Sequence, residues 1–283
     1  MLRSSERATI LVVLCLAGSA LAAGEIHKDF HFKVHRRATI SIINQYGPIS
    51  VKPISGHQVV VNAILGSEKV EIDQSQRGNR ISLVSHLLPG ADGDSGRVEY
   101  QVQVPANANV TMSSTTGPLH AEGLRGDILL EGNTAVVDVR NVNEAHVRVK
   151  TLDGPVTVSN MIDGHVEITS VSGAIALKDV SGPLVHVNST TGNVAYDGNF
   201  GDAGEYSLTT HTGDIEAIAP RYASIDVVAN SLHGKVDNDF LLDPVHSSFV
   251  ERVGGSFSGT LGKAASSVRL YSFSGKIHLK KRQ

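Results

Sequence analysis

The sequence predicts an all-β protein: a single elongated β-solenoid, β-helix-like, with coils of about 20 residues and an irregular N-terminal cap. Three observations carry this. Glycines recur at a near-constant spacing, apolar and polar residues alternate between them, and the 283 residues include 28 glycines, 5% aromatics and no Trp. Such a composition suits a thin core of Val, Ile and Leu better than one of interlocking large rings.

From the N-terminus, Arg3 and Arg7 precede the apolar run 10–16, and Ala20-Leu21-Ala22 offers the small residues of a signal-peptidase site. Residues 1–22 therefore read as a cleaved secretory signal, since a membrane span needs about 20 apolar residues. Cys15 follows Leu14 inside the run, which is not the position of a lipoprotein cysteine. It is the only cysteine, so the mature chain is expected to carry neither a disulfide nor a thiolate metal site. Cleavage leaves 23 basic residues against 27 acidic, spread without blocks, which argues against a nucleic-acid partner. The expected location is periplasmic, cell-surface or secreted, with no transmembrane segment in the mature chain.

Residues 23–110 form the N-terminal β region, with strands expected at 40–43, 59–64, 80–84 and 98–104. Only one full copy of the repeat falls here, at Gly47, so the region reads as a first coil plus a cap. A cap is physically required because an open solenoid end exposes unpaired N–H and C=O groups.

Residues 111–283 read as the repetitive solenoid, continuous with the preceding region. The repeat glycines are Gly47, Gly117, Gly154, Gly173, Gly192, Gly213, Gly234 and Gly275, assigned a structural role. Two residues after each comes an apolar residue, as in Val156 and Ile175; three before comes Ser, Thr or Asn, as in Thr151 and Ser170. Five before, the residue is again apolar, so the unit is φ-x-[STN]-x-x-G-x-φ: strand, corner, strand. The 37 residues from Gly117 to Gly154 and the 41 from Gly234 to Gly275 are each close to two periods.

Gly126, Gly164 and Gly182 form a second series at half-period, followed at the same offset by Ile128, Val166 and Leu184, so each coil has two strand-bearing sides. Pro48, Pro118, Pro155 and Pro183 each follow such a glycine, where a strand begins and a missing N–H does least harm. A helix is excluded by the period-2 alternation and by glycine every ten residues or so. A β-sandwich shares the short strands but does not demand one residue type at one corner position repeatedly. The stretch 239–262 is expected to cover the far end or to bulge from the last turns.

The segment 40–51 (Ile-Ser-Ile-Ile-Asn-Gln-Tyr-Gly-Pro-Ile-Ser-Val), the strand 98–105 ending in Val-Pro, the S/T-x-x-G units and the closing segment 268–279 resemble one known family. It is the bacterial putative-adhesin domain of unknown function, a group of exported β-strand-repeat proteins. The resemblance runs over nearly the whole mature chain. It implies a β-helix and an adhesin-like role, and brings no catalytic or ligand residue to carry over.

No catalytic, cofactor-binding or metal site is assigned from the sequence. Asp127, Asp153, Asp163, Asp179 and Asp214 lie near corners, where Asp serves turn hydrogen bonding. The loop Asp92-Gly93-Asp94-Ser95-Gly96 has carboxylates but lacks the spacing and bidentate acid of a calcium loop. His27, His31 and His35 share one strand face if Phe30, Phe32 and Val34 point inward; successive same-face residues lie about 7 Å apart, so His27 and His35 cannot both reach one ion without a bend. His146 and His165 fall at equivalent repeat positions, which stacking would bring about 5 Å apart.

The expected function is that of an exported noncatalytic adhesin-like envelope protein whose repetitive surface binds a glycan, an envelope component or a protein. The alternatives are a structural or assembly protein of the envelope and, behind it, a β-helix carbohydrate-active enzyme. The enzyme reading predicts aromatic sugar subsites, against only six Tyr and seven Phe.

Overall fold

The computed structural model describes residues 26–35, 37–244 and 255–283. The expected signal, residues 1–22, lies outside the described residues. Among these, the regular elements are all strands. The first seven are β1 (Ile26–Lys33), β2 (Thr39–Asn44), β3 (Ile49–Ile54), β4 (Gln58–Leu65), β5 (Val70–Arg77), β6 (Arg80–Leu87) and β7 (Val98–Pro105). The regular middle comprises β8 (Asn109–Ser114), β9 (Leu119–Glu122), β10 (Asp127–Gly132), β11 (Val137–Asn143), β12 (His146–Thr151) and β13 (Val156–Ile162). It continues with β14 (His165–Ser170), β15 (Ile175–Val180), β16 (Leu184–Ser189), β17 (Val194–Asp197), β18 (Glu205–Thr210) and β19 (Ile215–Ala219). The last five are β20 (Ile225–Ser231), β21 (Val236–Asn238), β22 (Gly255–Leu261), β23 (Ser266–Ser272) and β24 (Ile277–Lys281).

From β8 to β19 the strands alternate strictly between two facing sheets, odd-numbered strands in the first and even-numbered in the second. Each pairs in parallel with its equivalent in the next coil: Val147 lies opposite Ile128 and Val166, and Val156 opposite Val137 and Ile175. The predicted solenoid is thus the fold, a two-sided one with twelve strands per sheet. Coils stacked at about 4.8 Å bury columns of small apolar side chains, such as Ile128, Val147, Val166 and Val185, between the sheets.

The repeat corners explain the glycines. A Cβ on Gly154, Gly173, Gly192, Gly213, Gly234 or Gly275 would lie within 3.0 Å of a carbonyl oxygen in the neighbouring coil. Of the eight, only Gly47 has a positive φ, at 99°. The others are required by close approach of backbones, not by backbone conformation. The residue three before supplies the missing bond: Gly117, Gly192 and Gly275 donate their N–H to Ser114, Ser189 and Ser272 at 2.9, 2.9 and 2.8 Å. Several of these hydroxyls also donate across the stack, Ser231 to the Gly275 carbonyl at 2.7 Å and Ser272 to that of Gly213 at 3.2 Å. Much of this buried polar column is thereby satisfied coil to coil, with Ser170 Oγ and Asn44 Oδ1 the exceptions among its described members.

Three expectations are corrected. In the N-terminal region β2–β3 is not the end coil: β6–β7 stacks outside it, and antiparallel β1, β4 and β5 lie beyond. At the other end the 41-residue gap does not place Gly275 two coils past Gly234. The closing pair β23–β24 inserts between β18–β19 and β20–β21, so spatial order departs from chain order. Finally, Leu184 is half-buried beside His165 and Glu205, and Val185 takes the inward position, because the Gly182-Pro183 corner holds one residue more. The gap after Gly117 is filled by the coil β10–β11, and β22 pairs antiparallel on β20, covering the far edge.

Candidate binding surfaces

The outward positions of both sheets form rows in which each side chain sits beside its equivalents one coil away. On the second sheet, Arg148 Nε donates to Glu167 at 2.8 Å, Lys150 meets Glu131 at 3.4 Å, and Arg269 meets Glu205 at 2.8 Å. His146 and His165 face each other with ring centroids 5.6 Å apart, as their repeat positions imply. Hydrogen bonding from Arg148 holds the Glu167 carboxyl below its ordinary range. On the first sheet, His120 lies between Asp138 at 3.1 Å and Glu122 at 3.5 Å. Lys52 reaches Glu122 at 3.4 Å, and Arg140 pairs with Asp138 at 2.6 Å. Hydrogen bonding from His120 and then Lys52 lowers the Glu122 carboxyl. Opposite charges thus compensate both between neighbouring coils, as in Arg148–Glu167 and Lys52–Glu122, and within one strand, as in Arg140–Asp138.

Beside this network the first sheet carries an open hollow of about 770 Å³, lined by Ser50, Lys52, Asn62, Glu99, Gln101 and Gln103 among others. The amides and hydroxyl come from β3, β4 and β7, whose alternate residues are the buried Val51, Val61, Val102 and Tyr100. Such a lining combines hydrogen-bonding groups with apolar surface from Val60, Ile64 and Val102.

A second hollow, of about 390 Å³, lies where strands of the first sheet turn towards the second. Asn160, Asp179, Asn199, Tyr222 and Arg282 line it. Asn141, Asn160 and Asp179 bend the chain at φ of 55°, 53° and 51°, a left-handed conformation that short polar side chains tolerate. Arg282 Nε donates to Asp197 at 3.0 Å, a second bond runs from Nη2, and that carboxylate raises the guanidinium further.

The corner aspartates serve the turns in different ways. Asp214 accepts from the Lys276 N–H at 2.7 Å, Asp153 accepts from Ser172 Oγ at 2.6 Å, and Asp163 takes a left-handed φ of 53°. Asp127 is exposed and donates its N–H to Asn109 Oδ1 at 3.2 Å. In the 92–96 loop Asp92 accepts from the N–H and Oγ of Ser95 at 2.8 and 2.6 Å, and the Oγ bond leads in lowering its carboxyl. His27 and His31 are exposed on β1 with Phe32 buried opposite, whereas His35, also exposed, lies two residues past the end of the strand. Among the described residues no three His, Cys, Asp or Glu side chains converge as metal ligands. Sequence reasoning missed Tyr222 and Arg282. The available signal was the polar turn Pro220-Arg221-Tyr222 that ends an apolar alternation, whereas Arg282 lies 85 residues from its partner Asp197.

Two facing sheets, parallel through their middle and closed at hydroxyl and glycine corners, define a β-solenoid with polar outer faces. The chain belongs to the Toastrack family, DUF4097, whose model matches residues 38–280. A solved structure described as a putative adhesin, from Bacteroides fragilis NCTC 9343, is 10% identical, with 92% of this chain and 99% of that one covered and a TM-score of 0.38. Another, described as a putative cell adhesion protein from Clostridium sporogenes ATCC 15579, is 12% identical, with 91% and 100% covered and a TM-score of 0.29. No protein of curated function matches the chain. Among the described residues no helix is long and apolar enough to cross a membrane.

Proposed function

We propose that this chain is an exported, noncatalytic, adhesin-like protein of the bacterial envelope that presents its outer sheet faces to a glycan, an envelope component or a protein. The supporting observation is the pairing of outward charges across coils, as in Arg148–Glu167 and Lys150–Glu131. Carboxylates held in such pairs act as fixed parts of a surface, and an even, charge-compensated lattice suits recognition of an extended partner. The amide-rich hollow at Gln101 and Gln103 adds the directional bonds that hydroxylated ligands require. The signal-like segment 1–22 supports export through a cleaved leader.

The test is binding of purified residues 23–283 to arrays of envelope glycans and host-matrix components, with turnover followed in parallel. Saturable binding without product is the expected result, and product formation overturns it. N-terminal sequencing of the protein from fractionated cells should begin at Ala23; a chain that retains Met1 in the cytoplasm removes the export step.

A further inference from the structure

The hollow at the corner between sheets carries features that the fold itself does not require. Tyr222 is 81% exposed and Ile162 57% exposed, and both line this space. An aromatic ring left in water forgoes the burial that normally stabilises it. Around the two apolar groups stand planar polar side chains, the amides of Asn160 and Asn199 and the carboxylate of Asp179. They are held on rigid coil ends by left-handed bends at 160 and 179. Arg282 is fixed by its two bonds to Asp197, which leave Nη1 outside that pair.

An apolar ring ringed by rigid hydrogen-bonding planes matches a ligand with one C–H-rich face and a rim of hydroxyls. The carboxylates of Asp179 and Asp197 outnumber the single guanidinium, so an acidic ligand is disfavoured. The lining comes from the ends of β13 and β15 and from the corners after β17 and β19, neighbours in the first sheet, with Arg282 following β24 beside β19. That is three coil spacings, about 15 Å, which gives room for more than one sugar ring.

We propose that this hollow binds a neutral pyranose disaccharide unit, stacking one ring on Tyr222, seating an alkyl or acetyl group on Ile162, and bonding ring hydroxyls to Asn160, Asn199 and Asp179. The assignment rests on the reading of the chain as a surface-binding protein and names its ligand class and place.

The experiment titrates the purified protein with cellobiose, N,N′-diacetylchitobiose and digalacturonate by NMR, using the parent, Tyr222→Ala and Tyr222→Phe. Circular dichroism confirms that the variants fold, as the exposure of Tyr222 leads one to expect. At least one neutral probe should saturate, Tyr222→Ala should weaken it at least about tenfold, and Tyr222→Phe should stay within about threefold. Digalacturonate should bind at least about tenfold more weakly than the better neutral probe. Neutral binding unchanged in Tyr222→Ala overturns the site while leaving the surface-binding reading intact. Equal binding of the acidic probe overturns the assigned ligand class. Silence from all three, with glycan arrays still positive, overturns this ligand alone; silence on the full envelope, matrix and protein panel overturns both proposals.

Discussion

Gly132 and Ala135 exchange the two small residues that define every other well-formed corner: glycine stands where the hydroxyl should be, and alanine where the glycine should be. Register fixes the equivalence, with Gly132 opposite Ser114 and Thr151 and with Val137 opposite Leu119 and Val156. A Cβ on Gly132 would fall 2.8 Å from the Ala135 methyl. The two departures therefore compensate, since the volume added at one position is removed at the other. Gly132→Ser alone should destabilise by about 1–3 kcal/mol through overpacking. Gly132→Ser with Ala135→Gly restores the consensus hydrogen bond, so a double-mutant cycle by urea unfolding should show a favourable coupling of about 1 kcal/mol or more. Simple additivity would contradict the proposed exchange.

Gly192 tests the role of close approach. Its added Cβ would lie within 3.0 Å of the Gly173 carbonyl oxygen and 2.9 Å from Ser189 Oγ, and its φ is not positive. Gly192→Ala should cost at least about 2 kcal/mol, although alanine is otherwise the better residue for limiting unfolded-chain freedom. Gly56, with φ of 103° and open space around its Cβ position, is the control. Loss there comes from backbone strain alone, and Gly56→Asn should be milder than Gly56→Ala because Asn tolerates positive φ better. Equal stability of Gly192→Ala and the parent, by urea midpoint, would refute the steric account.

Much of this architecture was legible because both its signals are local. Alternation such as Val147-Arg148-Val149 fixes which side chains face inward, and the corner unit repeats in sequence as it does in space. Coil order at the ends was not legible, because the corner at Ser272 and Gly275 fits any neighbour of the same type. Nothing in its residues says that it sits between Gly213 and Gly234. The missing coil at β10–β11 escaped the pattern because Gly132 and Ala135 changed together. The corner hollow was hidden for a different reason: Asp179, Tyr222 and Arg282 meet only through stacking of coils far apart in the chain.

Glu167 links the surface rows to pH. The Arg148 hydrogen bond, followed by weaker effects of charge and of His146, lowers its folded-state pKa. A lowered carboxyl contributes stability above its unfolded value, about 4.3, and loses it as pH falls through the folded value. With the side chain 36% exposed, solvent screening limits the contribution to less than about 1 kcal/mol. Glu167→Gln should therefore be slightly less stable than the parent at neutral pH and indistinguishable from it well below pH 4. The measurement is thermal melting across pH 2.5 to 7, and a difference that grows on acidification would show that the pair does not stabilise the fold.

At the alkaline end the buried tyrosines decide the outcome. Tyr196 Oη donates to the Val180 carbonyl at 2.8 Å and accepts from the Phe200 N–H at 3.1 Å, with the Phe200 ring stacked 4.5 Å away. Tyr196→Phe leaves both backbone groups without that partner and should cost about 1–3 kcal/mol. Tyr100, hydrogen-bonded to Ser85 at 2.8 Å, is pushed up to about 12 by burial, and burial also raises Tyr196 and Tyr206. A phenol raised above its unfolded value of about 10 contributes stability fully present below pH 10 and lost as pH rises through the folded value. For Tyr100 that window is pH 10 to about 12. Subtracting the phenolate absorbance titration of Tyr100→Phe from that of the parent should isolate this ring, silent at pH 10 and ionising near 12 or at unfolding. Ionisation of Tyr100 near pH 10 in a protein still folded by circular dichroism would mean that water reaches the end of the solenoid core, and the packing of β6 against β7 would have to be redrawn.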